Sequence, residues 1–285
     1  MAESSYETVL VEIAGGVATI TFNRPDKLNS FNWKMDGEFH EAMWKCEADE
    51  DVRVIVVTGA GRAFCGGMDL SAGAEEVFGD AAHKTHDETF KTDSDRIAER
   101  SGFWRMRTPV IAAINGAAVG VGMTITTMFD IRFVAEDAKL GFNFVRRGVV
   151  PDASVTWTLP RIVGATRALD LLMSGRMFSG RDAVEYGLAL SAHPADQVLA
   201  VAQEYARELA ATTAPGAVAA TKALINRFLE HGDRNAAMAL ETKLVWWSGA
   251  QPDAVEGVMS FMEKRTPTWK GSKHAAFPEP VWPAD

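Results

Sequence analysis

The stretch that most constrains this chain is Thr58-Gly-Ala-Gly-Arg-Ala-Phe-Cys-Gly-Gly-Met-Asp-Leu70. It follows an apolar run over residues 52–57 that predicts a buried strand, and it leads to Asp69, a residue type that caps helix N-termini. Strand, glycine turn and capped helix together aim unpaired backbone N–H groups at whatever lies in front of the helix. The expected product is an anion or oxyanion site. A dinucleotide fingerprint would need glycine at position 64, where Phe64 stands, and no Gly-Lys-Ser/Thr closes a P-loop. A second stretch, Pro109-Val-Ile-Ala-Ala-Ile-Asn-Gly-Ala-Ala-Val-Gly-Val-Gly122, repeats the design, so two turns can bring two N–H donors to one carbonyl oxygen.

The chain has 285 residues, 47% of them apolar, enough for one large domain or two smaller ones. A net charge of −9 argues against nucleic acid and against an anionic membrane surface, so local donors must hold any anionic ligand. The two cysteines, Cys46 and Cys65, are too few for a disulfide framework and fit a reducing interior. Cys65 beside the turn reads as a small buried thiol, because no histidine neighbours it as a nucleophile's base would. No secretory or transit segment and no membrane-spanning run is seen, which makes the cytoplasm the expected location.

Taken in order, residues 6–13 and 16–22 alternate as a hairpin, and residues 32–48 space their apolar side chains as one helix face. Residues 71–95 are irregular and read as a flap; His83 and His86 there lack the third ligand a metal needs. Residues 96–106 and 123–130 read as helices, with strands over 131–135 and 138–142. Residues 147–157 are a loop entering a helix, with Pro151-Asp152 at its turn, and a capped helix over 178–188 closes at Gly187. Beyond Pro194 everything reads as helix: 195–211, 216–230, 234–249 and 252–263. That shift divides the chain into 1–194, carrying the site, and a helical region, 195–285.

Asn23-Arg-Pro-Asp-Lys-Leu-Asn29, Gly61-Arg-Ala-Phe-Cys-Gly-Gly-Met-Asp-Leu70 and Ala112-Ala-Ile-Asn-Gly-Ala-Ala-Val-Gly-Val-Gly122 together resemble the crotonase, or enoyl-CoA hydratase/isomerase, superfamily. The resemblance implies an α/β fold, a spiral of repeated β-β-α units followed by the all-helical region. It implies an acyl-CoA thioester as substrate, with no cofactor beyond the coenzyme A the thioester carries. It also implies a homotrimer or dimer of trimers, the C-terminal helices covering a neighbour. The two oxyanion donors fall on the N–H groups of Met68 and Val121. Ala63, Gly66, Gly67, Asp69, Leu70 and Gly120 line the substrate around them, and Lys27 and Leu28 meet the nucleotide end. Valine at 121 departs from the family's usual glycine and can crowd the thioester.

Hydratases of the family use two glutamates for proton transfer; here those positions hold Thr124 and Phe144, so glutamate-pair hydration is not expected. Phe144 is then a contact for the acyl group. Asp152 corresponds to an aspartate that dienoyl-CoA isomerases and an aryl-CoA dehalogenase direct into the site. It equally reads as a helix N-cap after Pro151. Arg146 and Arg147 read as a surface pair, Asp69 and Asp130 as caps or structural carboxylates, and Trp157 as helix packing. The leading expectation is an enolate-stabilising acyl-CoA enzyme of isomerase type; the rival is an acyl-CoA binder that has lost its acid/base pair.

Overall fold

The computed structural model describes residues 6–71, 73, 77 and 102–278. Strands β1 (Val9–Ala14) and β2 (Val17–Phe22) form the expected antiparallel hairpin. Helix α1 (Trp33–Ala48) follows, its start capped by the Asn32 side chain, which accepts from the Met35 N–H at 2.9 Å. Met35, Phe39, Ala42, Met43 and Cys46 are its buried stripe. Phe22, Phe31, Phe39, Phe64 and Phe103 then pack edge to face beneath it, ring centres 5.1–5.6 Å apart along the contacts through Phe22 and Phe39–Phe103.

The chain next steps between two sheets. Strands β3 (Val54–Gly59), β5 (Val110–Ile114), β7 (Ile131–Ala135) and β10 (Ser191–His193) join β2 in a sheet of order β1-β2-β3-β5-β7-β10, parallel from β2 onward. The strands between them, β4 (Ala63–Cys65), β6 (Ala117–Val119) and β8 (Leu140–Gly141), form a second sheet with β9 (Met177–Phe178). Each step leaves the large sheet, pairs in the small one and returns, which is the spiral of repeats the resemblance implies. Every residue of β3 and β5 is buried, as near-continuous apolar runs in a covered parallel sheet should be. Asn115 ties the two repeats together: its Nδ2 donates to Gly59 O at 2.8 Å and to Gly61 O at 3.0 Å.

Helix α2 (Val121–Thr124) passes directly into a 3₁₀ turn, Ile125–Met128, so the helix expected over 123–130 is a shorter, tighter segment, and it is buried. Helices α3 (Val155–Val163), α4 (Ala165–Ser174) and α5 (Gly180–Glu185) follow, and strand β10 (Ser191–His193) closes the large sheet. Ser179 and Asp182 form a capping box on α5, and the chain leaves this segment through Gly187 at φ 74°. Of the helix expected over 96–106, residues 96–101 lie outside the described residues, and Phe103–Arg105 form a 3₁₀ turn; the flap's His83 and His86 also lie outside them.

Four helices complete the chain: α6 (Val198–Thr212), α7 (Pro215–Glu230), α8 (Arg234–Gly249) and α9 (Pro252–Glu263). Val198, Ala202, Ala206 and Ala210 recur every fourth residue on α6 and are buried in the main core, so that core runs on past residue 194. Ala220, Ala223, Leu240 and Leu244 form a separate small cluster between α7 and α8. Lys222 pins α7 to the core through an ion pair of 2.8 Å with Asp130, whose carboxylate also accepts from the Val110 N–H at 2.7 Å. Asp130 is structural.

Candidate active site

Because β4 and β6 pair in parallel, with Cys65 opposite Ala118, the turns that follow them leave the small sheet side by side. In the first, the Gly66 N–H donates to Leu28 O at 2.8 Å, Gly67 O accepts from the Phe31 N–H at 2.7 Å, and the Asp69 N–H donates to Phe31 O at 2.8 Å. The Met68 N–H lies between these bonds with no hydrogen-bond partner among the described residues. In the second, the Gly120 N–H donates to Gly141 O at 2.9 Å, and Gly120 O accepts from Met123 and Thr124. Val121 opens α2, so its N–H has no acceptor inside the helix.

The turns touch. A Cβ on Gly67, whose φ is 99°, would lie 2.9 Å from Val119 O, and one on Gly120 would lie 3.9 Å from Gly67 Cα and from Phe144 Cζ. Gly122 sits on Cys65 so closely that a Cβ would come within 2.4 Å of Cys65 O and 2.7 Å of its Sγ. Cys65 is buried and its thiol is pushed up to about 12 by that burial, so it is no nucleophile. Ala63, buried on β4, accepts from Asn29 Nδ2 through its carbonyl at 2.8 Å.

The loop at 23–29 is bound to the first turn. Arg24 Nη2 pairs with Asp69 at 2.8 Å, and its Nη1 donates to Ser30 O. Asp69 also accepts from Ser71, N–H at 3.1 Å and Oγ at 2.6 Å. The Ser71 hydroxyl first, then Arg24, hold its carboxyl down at about 2. Residues 69–71 are not helical, so no helix starts at Asp69, and most of the segment beyond lies outside the described residues. Leu28 and Asn29 take left-handed φ values of 52° and 53° without being glycine, which leaves Lys27 and Leu28 exposed at the loop's tip and Leu70 exposed beyond the turn. Leu28 approaches the first turn, its Cβ standing 3.3 Å from where a Gly66 Cβ would be.

Asp152 is not the N-cap of the following helix. Helix α3 begins at Val155 with Ser154 at its cap position and no side-chain cap bond. Ala153 and Ser154 both have positive φ, 51° and 56°, a left-handed pair costing about 1–2 kcal/mol per residue that turns the Asp152 side chain away from the helix start. Its carboxylate accepts instead from Thr124 Oγ1 at 2.6 Å. Burial pushes the Asp152 pKa up from the ordinary aspartate value, and the Thr124 bond offsets part of that rise. By fractional exposure the residue as a whole is exposed, so the crowding that raises its pKa comes from the side on which the carboxylate meets Thr124.

The remaining candidates fall outside. Arg146 donates to Ser174 O at 2.9 Å, Arg147 approaches Asn143 O at 3.4 Å, and Trp157 stacks under Arg161 at 3.8 Å. A cavity of about 1060 Å³ opens between α3, α6 and α7, lined by Met128, Trp157 and Leu209 among others but by none of Met68, Val121 and Asp152. Sequence reasoning missed the Thr124–Asp152 and Arg24–Asp69 contacts; their partners are 28 and 45 residues apart, and no local pattern announces such pairs.

The family model described as enoyl-CoA hydratase/isomerase matches residues 12–272. The chain belongs to the enoyl-CoA hydratase/isomerase family. Among curated relatives, enoyl-CoA hydratase ACTT3 of Alternaria alternata is 37% identical over 262 residues, covering 92% of this chain and 85% of its own. The 1,2-epoxyphenylacetyl-CoA isomerase of Escherichia coli is 33% identical over 267 residues, covering 93% and 99%. Among solved structures, enoyl-CoA hydratase from Bacillus anthracis superposes with a TM-score of 0.84 at 31% identity, covering 93% of this chain and all of the other. A probable enoyl-CoA hydratase/isomerase from Mycobacterium abscessus gives 0.80 at 37%, covering 94% and 100%. The fold is that of the crotonases, and the protein is an enzyme of this lyase and isomerase family. Thr124 and Phe144 both stand beside the paired turns.

Proposed function

We propose that the protein binds an acyl-CoA thioester with its carbonyl oxygen between the N–H groups of Met68 and Val121, and that Asp152 moves the proton. The observation that carries this reading is the convergence of two unspent N–H groups with one tethered carboxylate whose pKa is raised. Asp152 removes a proton from a carbon conjugated with the thioester; the C–H electron pair moves into an enolate, whose oxygen the two N–H groups stabilise. Return of the proton to a different carbon completes a double-bond shift. Each oxyanion donor contributes on the order of 3 kcal/mol to such a step. Gly66, Gly67 and Gly120 let the thioester approach the backbone, Phe144 borders the acyl group, and Lys27 and Leu28 meet the nucleotide end.

One carboxylate with no partnering glutamate favours isomerisation or another enolate reaction over hydration. The similarity to an epoxyphenylacetyl-CoA isomerase supports that direction. No cofactor is needed beyond the coenzyme A of the substrate. The apolar residues exposed on α8 and α9, Trp246 and Phe261 foremost, support a homotrimer or a dimer of trimers. Among the described residues no helix is long and apolar enough to cross a membrane; a cytoplasmic site of action is part of the reading proposed.

The test is a panel of saturated, 2-enoyl, 3-enoyl, dienoyl and aryl-CoA thioesters incubated in heavy water and read by mass spectrometry, wild type beside Asp152→Asn. Isomerised or deuterated product that falls about 10²–10⁴-fold in the variant is expected. Thioesters that bind yet neither react nor exchange would overturn the reading in favour of a non-catalytic binder.

A further inference from the structure

Thr124 is completely buried at the end of α2, and its hydroxyl has one hydrogen to give. Two oxygens stand within reach, Asp152 Oδ1 at 2.6 Å and the Val121 carbonyl at 3.3 Å. Distance and charge both direct the hydrogen to the carboxylate. We propose that Thr124 is a positioning residue that occupies one oxygen of Asp152 and thereby selects the other, Oδ2, as the atom that takes and returns the substrate proton. This rests on Asp152 being the proton-transfer group.

Three observations support the role. Among the described residues no side chain other than Thr124 is recorded bonding the carboxylate, and Thr124 takes Oδ1; the Asp152 backbone N–H is its other donor. The hydroxyl's second neighbour is the carbonyl of Val121, the residue bearing one oxyanion donor, so base and donor are set by a single turn of chain. That turn is itself fixed: Thr127 Oγ1 donates to Thr124 O at 2.7 Å and meets Thr158 Oγ1 of α3 at 2.9 Å. Asp152 lies between these tethers, just before the left-handed Ala153–Ser154 pair, and a carboxylate on so constrained a turn cannot swing to another partner without breaking one of them.

Asp152 acts in its ionised form, with Thr124 donating to Oδ1. The substrate proton arrives on Oδ2, the C–H electron pair goes to the enolate, and Thr124 keeps its bond; delivery of the proton to the second carbon restores the carboxylate. The same donor opposes the rise in pKa that burial causes, because it stabilises the charged form. Little else charged bears on the group. Helix α2 and the Ile125–Met128 turn carry no ionisable side chain, Arg146 and Arg147 of the neighbouring 145–147 turn are bonded to backbone carbonyls, and Arg161 of α3 lies on Trp157.

The experiment is the pH profile of kcat, with KM, for α-proton exchange into a reactive CoA thioester in heavy water, using wild type, Thr124→Val, Thr124→Ser and Asp152→Asn. In Thr124→Val the acid limb should move up by about one pH unit, since removing a hydrogen bond to a charged group changes its free energy by that order. The plateau kcat should fall about tenfold with KM within about twofold, the signature of an interaction that acts on the transition state. Thr124→Ser should restore both. If the valine variant does not fold, Thr124→Ala, which only removes atoms, carries the same expectation. An acid limb and kcat unchanged in Thr124→Val or Thr124→Ala, while Asp152→Asn abolishes exchange, overturn the positioning role and leave the base standing. Exchange that survives in Asp152→Asn removes the base itself, and this role with it.

Discussion

The first glycine turn, through Met68, is fastened from outside by polar bonds: the Arg24–Asp69 ion pair, the Phe31 bridge and the Leu28 carbonyl all reach it from a loop some forty residues earlier. The second, through Val121, has no ion pair among the described residues; it rests on Cys65 and continues into Met123, Thr124 and Ile125, none more than 3% exposed. Two donors serving the same oxygen are thus held by different physics. A turn fixed by charge responds to pH and to loss of its partner, whereas a turn fixed by close packing tolerates those changes but not an added atom.

The sharpest way to break that contrast is Gly122→Ala. The new methyl would meet backbone at 2.4 Å, and neither strand can retreat, so a cost of about 3 kcal/mol or more is expected, read as a fall in Tm or loss of soluble protein. A wild-type Tm would show that the second turn is softer than its packing implies. Arg24→Ala should act next most strongly: about 2 kcal/mol of stability lost as Asp69 loses its charged partner, with kcat falling more than KM because the Met68 donor drifts. Arg24→Lys, which keeps the charge but not the fork that also bonds Ser30 O, should recover part of that loss. An Arg24→Ala enzyme with normal kcat would mean that the Phe31 pairing alone holds the turn.

The smallest effect is a pH dependence. Asp69, held at about 2, binds its proton less readily folded than in the unfolded chain, where about 3.9 is ordinary. Its contribution, from Ser71 and Arg24 together, is therefore present above pH ~4 and lost as pH falls toward 2. Denaturant titrations of wild type and Arg24→Ala across that window should differ, the variant keeping only the part due to Ser71. Identical curves would remove Arg24 from the account.

Much of this was legible in the chain. Both turns, the hairpin, α1 and the four C-terminal helices follow from apolar periodicity and glycine placement, which are local signals. The family resemblance implied the fold that pairs the turns. What sequence left open, it left open for a physical reason. Pro151-Asp152 has the composition of a helix start, yet the backbone crosses into left-handed space at Ala153 and Ser154, and no propensity scale favours that for alanine. The tether to Thr124 exists only once α2 and the Asp152 loop are folded together. Expected helix over 123–130 became a 3₁₀ turn because the hydroxyls of Thr126 and Thr127 bond back to Met123 and Thr124 carbonyls three residues earlier.

The thiol of Cys65 lies against Gly122 and within weak hydrogen-bonding distance of Gly67 O at 3.9 Å, so it touches both turns at once. Sealed and protonated there, it is silent toward alkylating reagents until the turns part, and each modification then records one opening. The rate at which a thiol reagent marks position 65, told apart from position 46 by peptide mapping, is accordingly a clock for the breathing of the oxyanion site, built into the chain without any label added.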